Sequence, residues 1–183
     1  HQGLYNAYLA LKNSDEFQSL DGAAQTSIEH TLRDFTLSGV ALADDKKQRY
    51  AEIQSRLSEL ASRFSNNLLD ATMAWTKQVT DTEALAGLPD SALAAAKQTA
   101  EQKELEGWLF TLDIPSYLPV MMYCDNRDLR EEMYRAYSTR ASEQGPNAGQ
   151  FDNSAIIDET MQLREEAARL LGFDNFAERS LVT

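Results

Sequence analysis

A stripe of apolar residues advancing by threes and fours through the middle of the chain constrains its fold more than any other feature. Tyr50, Ile53, Leu57, Leu60, Phe64, Leu68, Ala71 and Trp75 keep that spacing. At about 3.6 residues per turn they line one side of a single long helix, predicted from Asp44 to Trp75. Glu52 to Arg56 and Glu59 to Arg63 are i,i+4 pairs with the acid first, each worth only about 0.3 to 0.5 kcal/mol on an exposed face. Burial of the stripe therefore carries the helix. With Phe and Tyr at seam positions over a handful of turns, it reads as a core-facing helix and not as a coiled coil.

The same periodicity recurs on both sides. Ala24, Ile28, Leu32 and Phe35 predict a helix opened by Asp21 and Gly22 and closed near Gly39. Trp75 to Thr80 reads as extended, after which Asp81 and Glu83 open a short helix that Gly87 stops. Pro89 cannot continue a helix, so Asp90 or Ser91 is expected to cap an alanine-rich one from Ala92 to Lys103. Leu109 to Leu112 is the clearest strand, closed by Pro115, which starts the next helical turn through Tyr117, Val120, Met121 and Cys124. Asn126 recaps the chain, turning Leu129, Met133, Ala136 and Tyr137 inward and Arg127, Asp128, Glu131, Glu132 and Arg135 outward.

Gly145, Pro146, Asn147 and Gly149 mark the clearest loop. Asp152, Asn153 or Ser154 then caps a helix with Ile157, Met161, Arg164, Ala168 and Leu171 on one side. Gly172 falls where a left-handed residue ends a helix, and Asp174 is placed to cap a last turn through Phe176. The expected fold class is all-α, with at most one or two short strands near 76–80 and 107–112. The expected organisation is a single helical domain over 1–183. The chain starts at His1 without a methionine and stops at Thr183 within a helical pattern, so both ends are expected to be cuts in a longer protein.

Charge excludes several function classes. A net charge of -12 repels phosphate backbones and anionic lipid, because binding by counterion release needs clustered Lys and Arg. Neither nucleic acid nor membrane is an expected partner. No apolar run approaches the roughly 20 residues that a spanning helix needs. The one cysteine, Cys124, cannot form an internal disulfide and is expected to pack as a small apolar residue, which fits a reducing, cytoplasmic compartment.

Candidate catalytic groups are few. The chain has two histidines, His1 and His30. A His-Glu-x-x-His helix needs two imidazoles one turn apart with a Glu between them, and the chain holds no such run. His30 lies beside Glu29 and one turn before Asp34, which makes fewer ligands than a zinc site requires, so it is assigned no role. Glu131 and Glu132, like Glu165 and Glu166, are helix neighbours pointing about 100° apart and are expected to be solvated charges, not an acid/base pair. One Gly pair with no following Lys-Ser/Thr is no phosphate cradle. The expected catalytic, cofactor-binding and metal residues of this chain are therefore none.

Several longer blocks carry a family resemblance. Gly107 to Tyr137 (GWLFTLDIPSYLPVMMYCDNRDLREEMYRAY), Arg56 to Trp75, Ala86 to Leu93 (AGLPDSAL), Ser138 to Ser154 and Leu170 to Leu181 (LLGFDNFAERSL) resemble the thimet oligopeptidase and oligopeptidase A family of zinc metallopeptidases. The resemblance implies a cytosolic enzyme that hydrolyses short peptides, with a helical two-lobed fold around a deep channel. It further implies a zinc ion held by the two His of His-Glu-x-x-His and a downstream Glu, none of which maps onto this chain. The chain is thus expected to be a non-catalytic helical segment of the N-terminal lobe, forming part of the channel wall and inactive alone. Short peptides and the catalytic lobe are its implied partners, and zinc belongs to the parent enzyme only. The alternative expectation is a stand-alone helical module that binds a peptide or a protein without reaction.

Overall fold

The computed structural model describes residues 2–182, so His1 and Thr183 lie outside the described residues. Its elements in chain order are α1 (Gln2–Lys12), α2 (Asp15–Ser19), α3 (Gly22–Leu37), α4 (Asp44–Met73), β1 (Thr76–Val79), a 3-10 turn (Glu83–Leu85), α5 (Asp90–Gln102), β2 (Trp108–Thr111), α6 (Ile114–Tyr123), α7 (Arg127–Ser138), α8 (Ser154–Leu170) and α9 (Phe176–Ser180). The protein is mainly helical, and its sheet is one small antiparallel pair. Backbone contacts gather into two compact units, one made of residues up to Leu60 together with those from Asp158 onward, the other of Ala61–Ile157.

In the first unit the Asp21 carboxylate accepts from the Ala24 N–H at 2.8 Å and opens α3, as the sequence suggests. Phe17, Ile28 and Leu32 are buried together under Tyr5, Tyr8, Leu11 and Leu20. Tyr50, Ile53 and Ala167 form a second small core with Leu42, Leu57, Leu163, Leu170 and Leu171. The Tyr50 hydroxyl, buried there, donates to the Leu37 carbonyl at 2.9 Å.

Two bidentate ion pairs join α4 to α8 in this unit. Arg49 Nε and Nη2 donate to Glu166 at 2.7 and 2.8 Å, and Arg56 Nε and Nη2 donate to Glu159 at 2.6 and 2.8 Å. Seven residues separate the arginines and seven separate the glutamates, in opposite order, which is the register of two antiparallel helices. This corrects the local pairing expected along α4: Arg56 meets Glu59 and the distant Glu159, and Glu52 meets Arg49. A fork that matches a carboxylate face to face makes two charge-assisted bonds, which an i,i+4 contact on a curved surface seldom allows.

The second unit encloses the larger core. Trp75, Val79, Leu85, Leu88, Ala96, Phe110, Leu112, Val120, Cys124, Leu129, Met133 and Ala136 are buried in one cluster. β1 and β2 pair with Thr76 opposite Thr111 and Val79 opposite Trp108. Two strands alone are marginal, and here Val79 and Phe110 are stabilised by joining the helical core. Asn126 accepts from the Asp128 and Leu129 N–H groups at 3.0 and 3.1 Å and caps α7. Gly87, at φ 86°, turns so tightly that a Cβ would stand 2.2 Å from the Tyr123 carbonyl, so only glycine fits. Asn153, buried at 2% exposure, accepts from Asn67 Nδ2 at 2.9 Å and donates to the Phe64 carbonyl at 3.2 Å.

Three local expectations shift. Pro89 takes the N-cap position of α5 and Asp90 its first turn, since proline's fixed φ suits a helix start and its missing N–H is no loss there. On α8 the face named from the sequence divides: Ile157 and Met161, 50% and 61% exposed, point outward with Arg164, whereas Ala168 is buried as expected, together with Ile156 and Ala167. Asn175, not Asp174, caps α9 by accepting from the Glu178 N–H at 2.9 Å, and Glu178 reaches back to the Asp174 N–H at 2.8 Å. Gly172 ends α8 at φ 91°, with the Phe173 N–H on the Ala168 carbonyl and the Gly172 N–H on that of Arg169, as expected of a left-handed terminus.

Candidate functional site

The titratable side chains are distributed, not converged. His30 is exposed on α3, its neighbour Glu29 engages Lys12 at 3.0 Å, and Asp34 engages Arg33 at 3.0 Å. Among the described residues no group of three or more His, Cys, Asp or Glu side chains stands where one ion could reach them all. A catalytic zinc centre takes three protein ligands, and the donors described here do not fit one. Of the paired acids, Glu132 faces Lys77 at 2.7 Å, Glu165 faces Arg169 at 2.8 Å and Glu166 faces Arg49 at 2.7 Å. Cys124 is buried, its Sγ 3.6 Å from the Ala84 carbonyl.

The most organised polar constellation is a stack on α6, α7 and the turn after α7. The Tyr117 and Tyr137 rings lie parallel with centroids 4.1 Å apart, and the Arg140 guanidinium sits 3.6 Å from the Tyr137 centroid. Arg140 Nε donates to the Tyr137 carbonyl at 2.9 Å and Nη1 to Thr72 Oγ1 at 2.8 Å, which fixes the guanidinium plane. Burial pushes the Tyr117 hydroxyl above its ordinary pKa, neighbouring Tyr137 and Tyr134 push the same way, and Arg140 opposes them. The phenol therefore stays neutral at physiological pH and offers no base.

Beside this stack Trp75, Leu112, Ala136, Pro146 and Asn147 line a cavity of about 10 Å³. That is room for no more than a water molecule and none for a peptide side chain. Sequence reasoning turned Tyr137 inward but missed the stack. The Tyr137 to Arg140 spacing of three was the available signal, whereas Tyr117 reaches the ring from another helix.

The Gly-Pro loop leads directly into α8. Ser154 N and Oγ both donate to Asp152 Oδ1, at 2.8 and 2.7 Å, and Ser154 Oγ lies 3.1 Å from Glu143 Oε2. The Asp152 carboxyl is held below its ordinary value by the Ser154 backbone N–H and then by its hydroxyl. That of Glu143 is lowered first by its own backbone and then by Ser154. Both carboxylates are engaged in fixing the loop.

Comparison with known proteins shows what the chain is similar to. The family model described as Neurolysin/Thimet oligopeptidase, N-terminal domain matches residues 1–47, and that of Peptidase family M3 matches residues 120–183. Oligopeptidase A of Escherichia coli (strain K12) is 62% identical over 183 residues, covering 100% of this chain. Along its whole length the chain resembles the N-terminal part of oligopeptidase A, with both ends matched by models of its peptidase family. Within that family, oligopeptidase A of Haemophilus influenzae is 63% identical over the same 183 residues, and the probable cytosolic oligopeptidase A of Arabidopsis thaliana is 46% identical over 98% of this chain. The chain spans about a quarter of the length of these relatives, 27% in both bacterial cases and 26% in the plant one. No helix among its described residues is long and apolar enough to cross a membrane.

Proposed function

We propose that the chain is a non-catalytic helical segment of a cytoplasmic zinc metallo-oligopeptidase that hydrolyses short peptides. In this reading residues 1–183 belong to one helical N-terminal lobe and form part of the wall of the substrate channel. The observation that carries it is the 62% identity to oligopeptidase A along the entire chain, at only 27% of that protein's length. The scattered donors support it, since among the described residues no three His, Cys, Asp or Glu side chains stand around one point, and Glu29, Asp34, Glu132, Glu165 and Glu166 each meet a Lys or Arg. In the whole enzyme zinc would polarise the scissile carbonyl and lower the pKa of its bound water. This chain contributes shape, excluding folded substrates, and not that chemistry.

The test compares two proteins, the 183-residue chain and the product of the full reading frame that contains it. Each is incubated with zinc and a quenched short peptide. The reading requires hydrolysis by the long protein, abolished by chelation, and none by the 183-residue chain. Chelator-sensitive turnover by the short chain, or a reading frame that ends at Thr183, would overturn it. The second outcome would favour a stand-alone interaction module.

A further inference from the structure

Alone among the described helices, α6 (Ile114–Tyr123, IPSYLPVMMY) carries no charged residue, in a chain with 25% charged residues. A helix that is apolar all round needs cover on every side. The fold covers one side: Val120 is fully buried, and Tyr117 and Met121 are half-buried. On the other, Ile114, Leu118 and Met122 are 52%, 46% and 59% exposed at a spacing of four, one straight stripe about 12 Å long. Exposed Asp113 precedes the stripe and exposed Asp125 follows it, about 18 Å apart along the helix direction.

We propose that this outward face of α6 is a docking strip for an apolar segment flanked by basic residues, supplied by the part of the M3 polypeptide outside these 183 residues. The inference rests on the proposed function and adds the place where the rest of the enzyme seats. Three observations select this occupant. A second copy is disfavoured because each chain carries a net charge of -12 and the strip's two ends are acidic in both. The acid–apolar–acid pattern calls for a complementary basic–apolar–basic one. The relatives are nearly four times as long as the chain, so a lasting intramolecular cover is available in them. A transient peptide substrate would leave the strip bare for much of the time, which soluble proteins avoid.

The chain's five methionines supply the probe. Met122 is 59% exposed and Met73 69%, whereas Met133 is fully buried. Oxidation by dilute peroxide, followed site by site by peptide mass spectrometry, reports access to each thioether. In the 183-residue chain Met122 should oxidise nearly as fast as Met73. In the long enzyme its rate should fall about tenfold or more, toward that of Met133. Leu118→Lys should lower the melting temperature of the long enzyme by several degrees and leave that of the 183-residue chain unchanged.

Equal Met122 rates in both proteins would overturn the proposal. So would protection that appears in the short chain as its concentration rises, which marks a second copy, or protection of the long enzyme only when an uncleaved peptide is added, which marks a substrate surface. An intact mass showing no longer polypeptide would sink the proposed function itself. A long, active enzyme with a fast Met122 would sink only the docking strip.

Discussion

The two compact units are held by different forces. Residues 61–157 gather twelve buried side chains into one cluster around Phe110 and Met133. The other unit divides its burial between two clusters of three buried residues each and adds the Arg49–Glu166 and Arg56–Glu159 forks at its surface. Apolar burial is not screened by salt, whereas exposed ion pairs are screened over a Debye length of about 8 Å at physiological ionic strength. The comparison therefore predicts one unit whose stability follows packing and another whose α4 and α8 respond to salt and acid.

The largest effect should come from the bigger core. Phe110→Ala removes a ring with 1% exposure from the point where β2 meets the helices. It should cost about 3 to 5 kcal/mol in chemical denaturation. Leu32→Ala, in a three-residue cluster at 8% exposure, should cost nearer 2 kcal/mol, because a shallow site relaxes more readily. The loss should appear as faster hydrogen exchange in α3. If Leu32→Ala proved as costly as Phe110→Ala, the contrast between the units would fail.

Next in size is Asn153→Ala, which strips the partner of Asn67 and leaves the Phe64 carbonyl without its side-chain donor. A loss of about 1 to 3 kcal/mol is expected, with Asn153→Asp unable to rescue the donor. A variant as stable as the parent would show that water replaces both bonds.

The smallest effect belongs to the forks. The Arg49 guanidinium lowers the Glu166 carboxyl below its ordinary value through a hydrogen bond and then through charge, while partial burial opposes it. A depressed acid pKa stabilises the fold above the unfolded value near 4.3 and loses that contribution as pH falls through the folded value. Hydrogen exchange at the α4 and α8 amides of the first unit should therefore quicken below about pH 4 and in high salt. Glu166→Gln should lessen both dependences, leaving the part carried by Arg56–Glu159. Because Arg49 is 47% and Glu166 42% exposed, the change in overall stability should be smaller than for any variant above.

Local features were legible where one segment contains its own cause. The stripe from Tyr50 to Ala71 produced α4, which stops at Met73 short of Trp75, Asp21 and Asn126 capped as read, Gly172 ended α8, and the strands fell within the two predicted stretches. The first part of the α8 face was misassigned because Ile156 and Ile157 are equally apolar neighbours, and a shift of one residue turns a helix by 100°, whereas Ala168 is buried as read. Asp174 and Asn175 present the same ambiguity at a cap, since either side chain can accept an N–H.

By itself the sequence determined that the chain is helical, acidic and short of imidazole ligands, because spacing, charge and composition are properties of the string. It also determined kinship, since whole blocks survive in order. Only the tertiary structure decided that Arg56 reaches Glu159 across 103 residues, that Tyr117 stacks on Tyr137, and that α6 is covered on one side and bare on the other. Each of these depends on which faces meet after packing, and periodicity fixes only that a helix has an apolar face, not what lies against it.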